Sequence, residues 1–405
     1  MVFGREEPRT LQGTQIQSMN ELHNRIADAV RKAIGRNEAG LHEPNFDSQE
    51  KYYLSECIDS TLVSSVGSFV NEFELNLANY LGVKRVVAVV NGTAALQIAL
   101  LLSGVKPGDE VIVPALSFVA TANAVTYLNA TPHFVDSNID TLGMDPTSLR
   151  IHLRRICIPS NNGLVNKNTG ATIKAIVPMH TFGHPCQLDE LKLVAEEFGL
   201  ALVEDAAESL GSLYKGNHTG TIGIASAISF NGNKIITTGG GGAIATNEDY
   251  IADTAKHLTT TAKVPHRWEF LHDRVGFNYR MPNLNAALGC AQLTKLNSFI
   301  ARKRNLANRY FDAFKEIPEV TIFQEPKNCH SNYWLQTLLL NKPNKAVRDS
   351  LLNDLNAMGI CVRPVWNLLH ELPMYSKNPR STTPVSEAIN SSCVNLPSSS
   401  FLGQN

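Results

Sequence analysis

Cysteine is sparse and scattered in this chain. The seven residues Cys57, Cys157, Cys186, Cys290, Cys329, Cys361 and Cys393 form no Cys-x-x-Cys pair. Their odd number and wide spacing argue against a disulfide framework or a zinc ribbon and fit a reducing compartment. An excess of charge of either sign is also missing. Lys and Arg total 36 against 37 Asp and Glu, for a formal net charge of -1. No basic block interleaved with aromatics occurs, so nucleic acid is not an expected partner. No apolar run approaches the length that crosses a bilayer. The opening MVFGREEPRTLQGTQ lacks the apolar core of a signal peptide. No membrane partner is expected, a cytoplasmic location is, and the Asn-x-Thr sequons at Asn91, Asn129 and Asn217 are expected to carry no glycan. Finally, neither Gly-x-x-x-x-Gly-Lys-Ser/Thr nor a strand-linked Gly-x-Gly-x-x-Gly is present, which removes two common nucleotide loops.

What remains is ordinary soluble composition, 43% hydrophobic and 18% charged over 405 residues, enough for two domains. Leu22, Ile26, Val30 and Ile34, four apart, predict an amphipathic helix over 19–34. Further on, short apolar runs follow in series: VVAVV (86–90), EVIVPA (110–115), PHFVD (132–136), AIVPMH (175–180), LALVED (200–205), SAISF (226–230) and GAIATN (242–247). Between the first five lie helical patterns such as TAALQIALLLSG, SFVATANAVTYLN and DELKLVAEEFG. Continuous apolar strands alternating with helices predict a mainly parallel sheet covered on both faces, the α/β class. After about Arg274 the pattern turns helical, and YWLQTLLL and CVRPVW then read as strands of a smaller α+β domain. The expected division is a helical segment over 1–45, a large α/β domain over 46–275 and a small C-terminal domain over 276–405.

In an open parallel sheet the ligand crevice lies beyond the carboxyl ends of the strands. Asn91-Gly92-Thr93-Ala94 follows the first run and opens a helix, either as a plain cap or as an anion cradle. Phe118 follows the second, as core aromatic or stacking plate. Asp205 ends the fifth and Glu208 follows it, as helix caps or as functional carboxylates. Lys234 follows SAISF and precedes ITTGGGG, as a solvated charge or as a reactive amine. Singly, each has a bland explanation. Together and in this order they meet the needs of pyridoxal 5'-phosphate: a phosphate cradle, a plate for the ring, a carboxylate that keeps the pyridine nitrogen protonated, and a lysine that bonds the cofactor and shuttles a proton. His180, His184 and Cys186 sit beside Gly183 and Pro185 in a loop pattern that lacks zinc-ligand spacing, so no metal is expected. His330, Trp366 and His370 are candidate substrate-pocket residues.

The stretches NGTAALQIAL, PALSFVATANAV, VEDAAESLGSLYKG, SFNGNKIITTGGGG and GFNYRMPNLNAALG resemble the DegT/DnrJ/EryC1/StrS family of sugar-nucleotide aminotransferases, of fold type I, from about Leu41 to Pro397. The resemblance implies Lys234 as the lysine bonded to the cofactor and Asp205 as the partner of its ring nitrogen. It implies Glu208 beside the ring hydroxyl, where many members place Gln or His, and Phe118 as the stacking aromatic. Thr93, Ala94 and Ser229 match phosphate ligands, and Asn278 matches an asparagine that reaches the phosphate from the neighbouring subunit of a homodimer. Two departures stand out: TTGGGG where the family often reads TTGEGG, and Asn233 where members acting at C4 often carry His. LHEP, VSSVGSFV and NGNK look closest to the legionaminic acid and bacillosamine branch. That likeness implies transfer from L-glutamate, through pyridoxamine 5'-phosphate, to C4 of a UDP-linked 4-keto-6-deoxy-2-acetamido sugar for bacterial surface glycans. The alternatives are another nucleotide-linked keto-sugar (3-keto, dTDP or GDP) and a non-enzymatic cofactor-binding regulator. Dehydratases of the family carry His where this chain has Lys234.

Overall fold

A computed structural model describes residues 13–161 and 163–404. Seven of the apolar runs form five-residue strands: β1 (Arg85–Val89), β2 (Glu110–Pro114), β3 (Thr131–Val135), β4 (Thr172–Ile176), β5 (Ala201–Asp205), β6 (Ala225–Ser229) and β7 (Gly242–Thr246). They lie in the order β3-β2-β4-β5-β6-β7-β1. All ladders are parallel except those of β7, which runs antiparallel to both β6 and β1. A hairpin of Cys157–Ser160 and Gly163–Asn166 leans antiparallel against β4. Both sheet edges are covered by irregular chain: Phe134 of β3 bridges to Arg380, and Val89 of β1 bridges to Arg280.

Helices cover both faces, as the unbroken apolar strands require. The helix Gly92–Leu102 is apolar nearly all round, and Ala95, Ile98 and Ala99 are buried with Val111, Val113, Val203 and Ile244 in one core. A second sheet, antiparallel, is built from β8 (Val320–Ile322), β9 (Gln336–Leu340), β10 (Arg363–Pro364) and β11 (Cys393–Leu396) in the order β8-β9-β11-β10. The first helix, Gly13–Ile34, starts earlier than its periodicity indicates, and it docks Ile26 and Val30 against Leu306, Tyr310, Leu338 and Leu396 of this C-terminal body. Among the described residues no helix is long and apolar enough to cross a membrane.

One expected strand is cut short for a reason that matters to the site. YWLQTLLL enters the ladder only at Gln336, because Tyr333 takes a left-handed φ of 46° and the Asn332 side chain accepts the Trp334 N–H at 2.8 Å. This local turn frees Trp334 from the sheet.

Candidate active site

The loops after β1, β2, β5 and β6 meet at one end of the large sheet and enclose a cavity of about 340 Å³. Its floor is made where β1 gives way to the helix Gly92–Leu102. Asn91 caps that helix, its Oδ1 accepting the Ala94 N–H at 2.8 Å. The amides of Gly92 and Thr93 and the Thr93 hydroxyl have no intramolecular partner among the described residues. Free amides at the positive end of a helix form a ready anion cradle. Two glycines permit the close approach on which the cradle depends. A Cβ on Gly92 would lie 2.9 Å from Ser229 Cβ, and one on Gly242 would lie 2.4 Å from the Asn91 carbonyl carbon.

Asp205, the last residue of β5, is buried. Thr121 Oγ1 donates to its Oδ2 at 2.8 Å, Thr121 is itself linked to Ser117 at 2.7 Å, and the Ala207 amide reaches Oδ1 at 3.2 Å. Burial raises its pKa against the opposing hydrogen bond of Thr121, so this carboxylate has acceptor capacity to spare in a place where a cation stabilises it.

Lys234 closes a turn after β6, its amide bonded to the Asn231 carbonyl at 2.9 Å. Its Nζ lies 3.3 Å from Glu208 Oε1 and 3.9 Å above the centre of the Trp334 ring. The Trp334 Nε1–H donates to the Asn233 carbonyl at 2.7 Å, which ties the indole to the lysine turn. An ammonium over an indole face is held by the ring's negative quadrupole. Lys234 is thus an inward amine and not a solvated charge, its side chain only 12% exposed. Glu208 also accepts the Phe182 N–H at 2.9 Å.

Burial pushes the Glu208 carboxyl up to about 7, with the Lys234 ammonium pulling it down. A carboxyl raised in the folded state keeps its proton where the unfolded chain has lost it. Stability owed to this group therefore falls as pH rises from about 4.5 to about 7, by roughly 3 kcal/mol. In the cofactor-free protein, Glu208→Gln is expected to remove that fall. Urea midpoints at pH 5 and pH 8 check it, and parallel losses in wild type and variant contradict the assignment.

Of the residues singled out in the sequence, Thr93, Phe118, Asp205, Glu208, Ser229, Lys234 and Trp366 line the cavity. Phe118 is 48% exposed at its rim, so it is not a core aromatic. Ala94 lies just behind, its amide already given to Asn91. Asn278 is exposed and outside this cavity, paired with Thr260. His330 is exposed beside a different pocket and His370 packs toward Phe134. His180 is buried, with Nε2 3.0 Å from Glu204 and Nδ1 accepting the Cys186 amide, an arrangement for a neutral ring.

Two residues escape sequence reasoning. Trp334 sits inside an apolar run that reads as plain strand. His42 belongs to LHEP, far along the chain from Lys234, yet its ring lies 6.3 Å from that of Trp334. Both His42 nitrogens are closed to solvent without a partner among the described residues, and burial drives its pKa well below the ordinary value. It lines an adjoining cavity of about 440 Å³ that shares Asn233, Trp334 and Trp366 with the first.

The sequence matches the DegT/DnrJ/EryC1/StrS aminotransferase family over residues 44–405, nearly the whole chain. The protein belongs to this family. It is similar to the GDP-perosamine synthase of Escherichia coli O157:H7, at 38% identity over 358 residues covering 88% of this chain and 92% of that protein. It is also similar to the putative pyridoxal phosphate-dependent aminotransferase EpsN of Bacillus subtilis (strain 168), at 37% over 335 residues covering 83% of each. Among solved structures it resembles a DegT DnrJ EryC1 StrS aminotransferase from Brucella abortus, with a TM-score of 0.78, 29% identity, and coverage of 87% of this chain and 91% of that one. Enzymes of the DegT/DnrJ/EryC1/StrS family depend on pyridoxal phosphate. The residues present fit that cofactor: unpaired amides for a phosphate, a buried carboxylate short of donors, and an inward lysine share one cavity.

Proposed function

We propose that this aminotransferase moves an amino group from L-glutamate to C4 of a UDP-linked 4-keto-6-deoxy-2-acetamido sugar, on a route to surface-glycan sugars. The observation that supports the acceptor most directly is His42. Its ring lines the cavity adjoining that of Lys234, and both its nitrogens lack a partner among the described residues, so an acetamide, which offers a donor and an acceptor, can pair with them once the ring turns toward the cavity.

Bound pyridoxal phosphate supplies an electron sink that makes the Cα–H of the amino donor acidic. The chain's own groups do the rest. Gly92 and Thr93 amides, the Thr93 hydroxyl and Ser229 would hold the phosphate, with Ala94 acting through the cap that it shares with Asn91. Asp205 would keep a proton on the ring nitrogen. Lys234 Nζ would anchor the cofactor, and its amine is placed to hold and move the proton taken from the donor's Cα. Glu208 lies close enough to hold Nζ in place, and Trp334 limits its swing. Asn278 is exposed and outside this cavity, so a role at the phosphate would be filled from a second copy. The exposed apolar side chains of Trp268, Phe270 and Val275 nearby support a homodimer with shared sites.

A second reading has its own support, because relatives at 38% identity are named GDP-perosamine synthases. Single-turnover assays of the enzyme's amino form against the UDP-2-acetamido 4-keto sugar, a GDP-4-keto-6-deoxy sugar and a 3-keto isomer separate the two. The first is expected to lead in kcat/KM by at least about 100-fold, since an unmet buried polar group penalises a sugar without the acetamide. Equal or faster turnover of the GDP sugar transfers the assignment to it.

A further inference from the structure

At the far edge of the large sheet, away from the catalytic cavity, a pocket of about 500 Å³ opens between large-sheet elements and the segment 377–380. Three chain segments bring cations to it: Arg155 from the helix Pro146–Ile156, Lys167 from the turn after the hairpin, and Lys377 and Arg380 from the C-terminal part. All four are exposed, none forms an ion pair among the described residues, and no carboxylate lines the pocket. The contrast within one helix is informative. Arg150 and Arg154 both bond Glu197, at 3.0 and 2.7 Å, whereas Arg155 has no acidic partner.

Arg155 is nevertheless held in place. Its guanidinium lies 3.2 Å from Nδ1 of the buried His152, whose Nε2 lies 2.8 Å from Nε2 of the buried His133, whose Nδ1 lies 2.8 Å from the buried Glu110 carboxylate. A guanidinium only donates, so His152 accepts at Nδ1 and carries its hydrogen on Nε2. His133 then accepts at Nε2 and donates from Nδ1 to Glu110. Both rings are neutral, and desolvation lowers the pKa of His152 to about 4. Asn166 and Thr169 complete the Glu110 carboxylate at 2.9 and 2.5 Å and fix the turn that carries Lys167. The opposite wall is pinned as well, with Phe134 N–H bonded to the Pro379 carbonyl at 3.0 Å and Asn378 to the Pro132 carbonyl at 2.9 Å.

The geometry points to a second ligand site, a pocket that binds a phosphate-class polyanion between Arg155, Lys167, Lys377 and Arg380. Four like charges gathered on pinned backbone repel one another, and a polyanion relieves that repulsion while joining the C-terminal segment to the sheet edge.

The test is calorimetric titration of the cofactor-loaded enzyme, whose Gly92–Thr93 cradle is filled, with inorganic pyrophosphate at fixed ionic strength. Wild type is expected to bind with a Kd below about 1 mM. The Lys377→Ala/Arg380→Ala double variant and, separately, Arg155→Ala are expected to weaken binding at least tenfold, while Arg380→Lys retains it. Wild-type enzyme that takes up no pyrophosphate, or variants that bind within threefold of wild type, overturn the proposal. A parallel titration with UDP identifies the source of the anion. Weakening of both probes by the double variant assigns the pocket to nucleoside diphosphates as well, and weakening of pyrophosphate alone assigns it to inorganic polyphosphates.

Discussion

Lys234→Ala is expected to lower kcat by at least about 10⁴-fold while the variant still takes up the cofactor without a covalent bond. On the roles proposed for Lys234, the change deletes both the anchoring amine and the group that moves the proton, and a positioned acid or base alone contributes roughly 10²–10⁴-fold. Retention follows from the layout: the amides and hydroxyl at Gly92 and Thr93 and the carboxylate of Asp205 come from other loops and do not depend on the lysine. The fold is expected to survive, because the Lys234 backbone bond to Asn231 and the Trp334 bond to the Asn233 carbonyl remain. Turnover under saturating glutamate and keto-sugar, together with cofactor content after gel filtration, checks both halves. Activity within tenfold of wild type would move the amine's role to another residue.

Asp205→Asn is expected to lose at least about 100-fold in kcat with little change in fold. Thr121 Oγ1 can still donate to an amide oxygen at this position, and the loss is confined to the longer 3.2 Å bond from the Ala207 amide. What the amide cannot supply is negative charge. A charge-assisted bond is about twice as strong as a neutral one, and if Asp205 pairs with the ring nitrogen as proposed, the difference in this buried setting would decide whether that nitrogen keeps its proton. Pre-steady-state measurement of the glutamate half-reaction isolates the effect. An unchanged rate there would place the protonating carboxylate elsewhere, with Glu208 the next in line.

How much of this was legible beforehand follows from where each signal resides. The seven strands were readable because a strand buried on both faces must be continuously apolar, and Asp205 and Lys234 stood out because each interrupts or follows such a run. Their convergence was readable through the rule that parallel strands end on one side. The reversed direction of β7 was not, since apolar content carries no sense of direction, and the glycines before it fit either connection. Trp334 looked like one more strand residue. Its release depends on the Asn332 side chain and the left-handed Tyr333, a local competition that periodicity does not register. His42 was out of reach for a different reason. Its meaning lies in what its nitrogens fail to touch, which is set by packing between distant segments and leaves no mark on the local sequence pattern. Ala94 is a related case: the family resemblance implies it at the phosphate, and its pairing with the Asn91 cap is a detail that the resemblance does not carry.

The irregular segments that bridge to β3 and β1 have a consequence for the protein outside its chemistry. An open sheet offers two rows of unpaired amides and carbonyls on which a foreign strand can grow. Here Phe134 both donates to Pro379 and accepts from Ser381, and Val90 donates to Tyr279, so each border is already partly paired by chain that cannot itself continue a ladder. Copies of this protein consequently have little opportunity to polymerise edge to edge, and shortening the chain before residue 379 would uncover a template for aggregation.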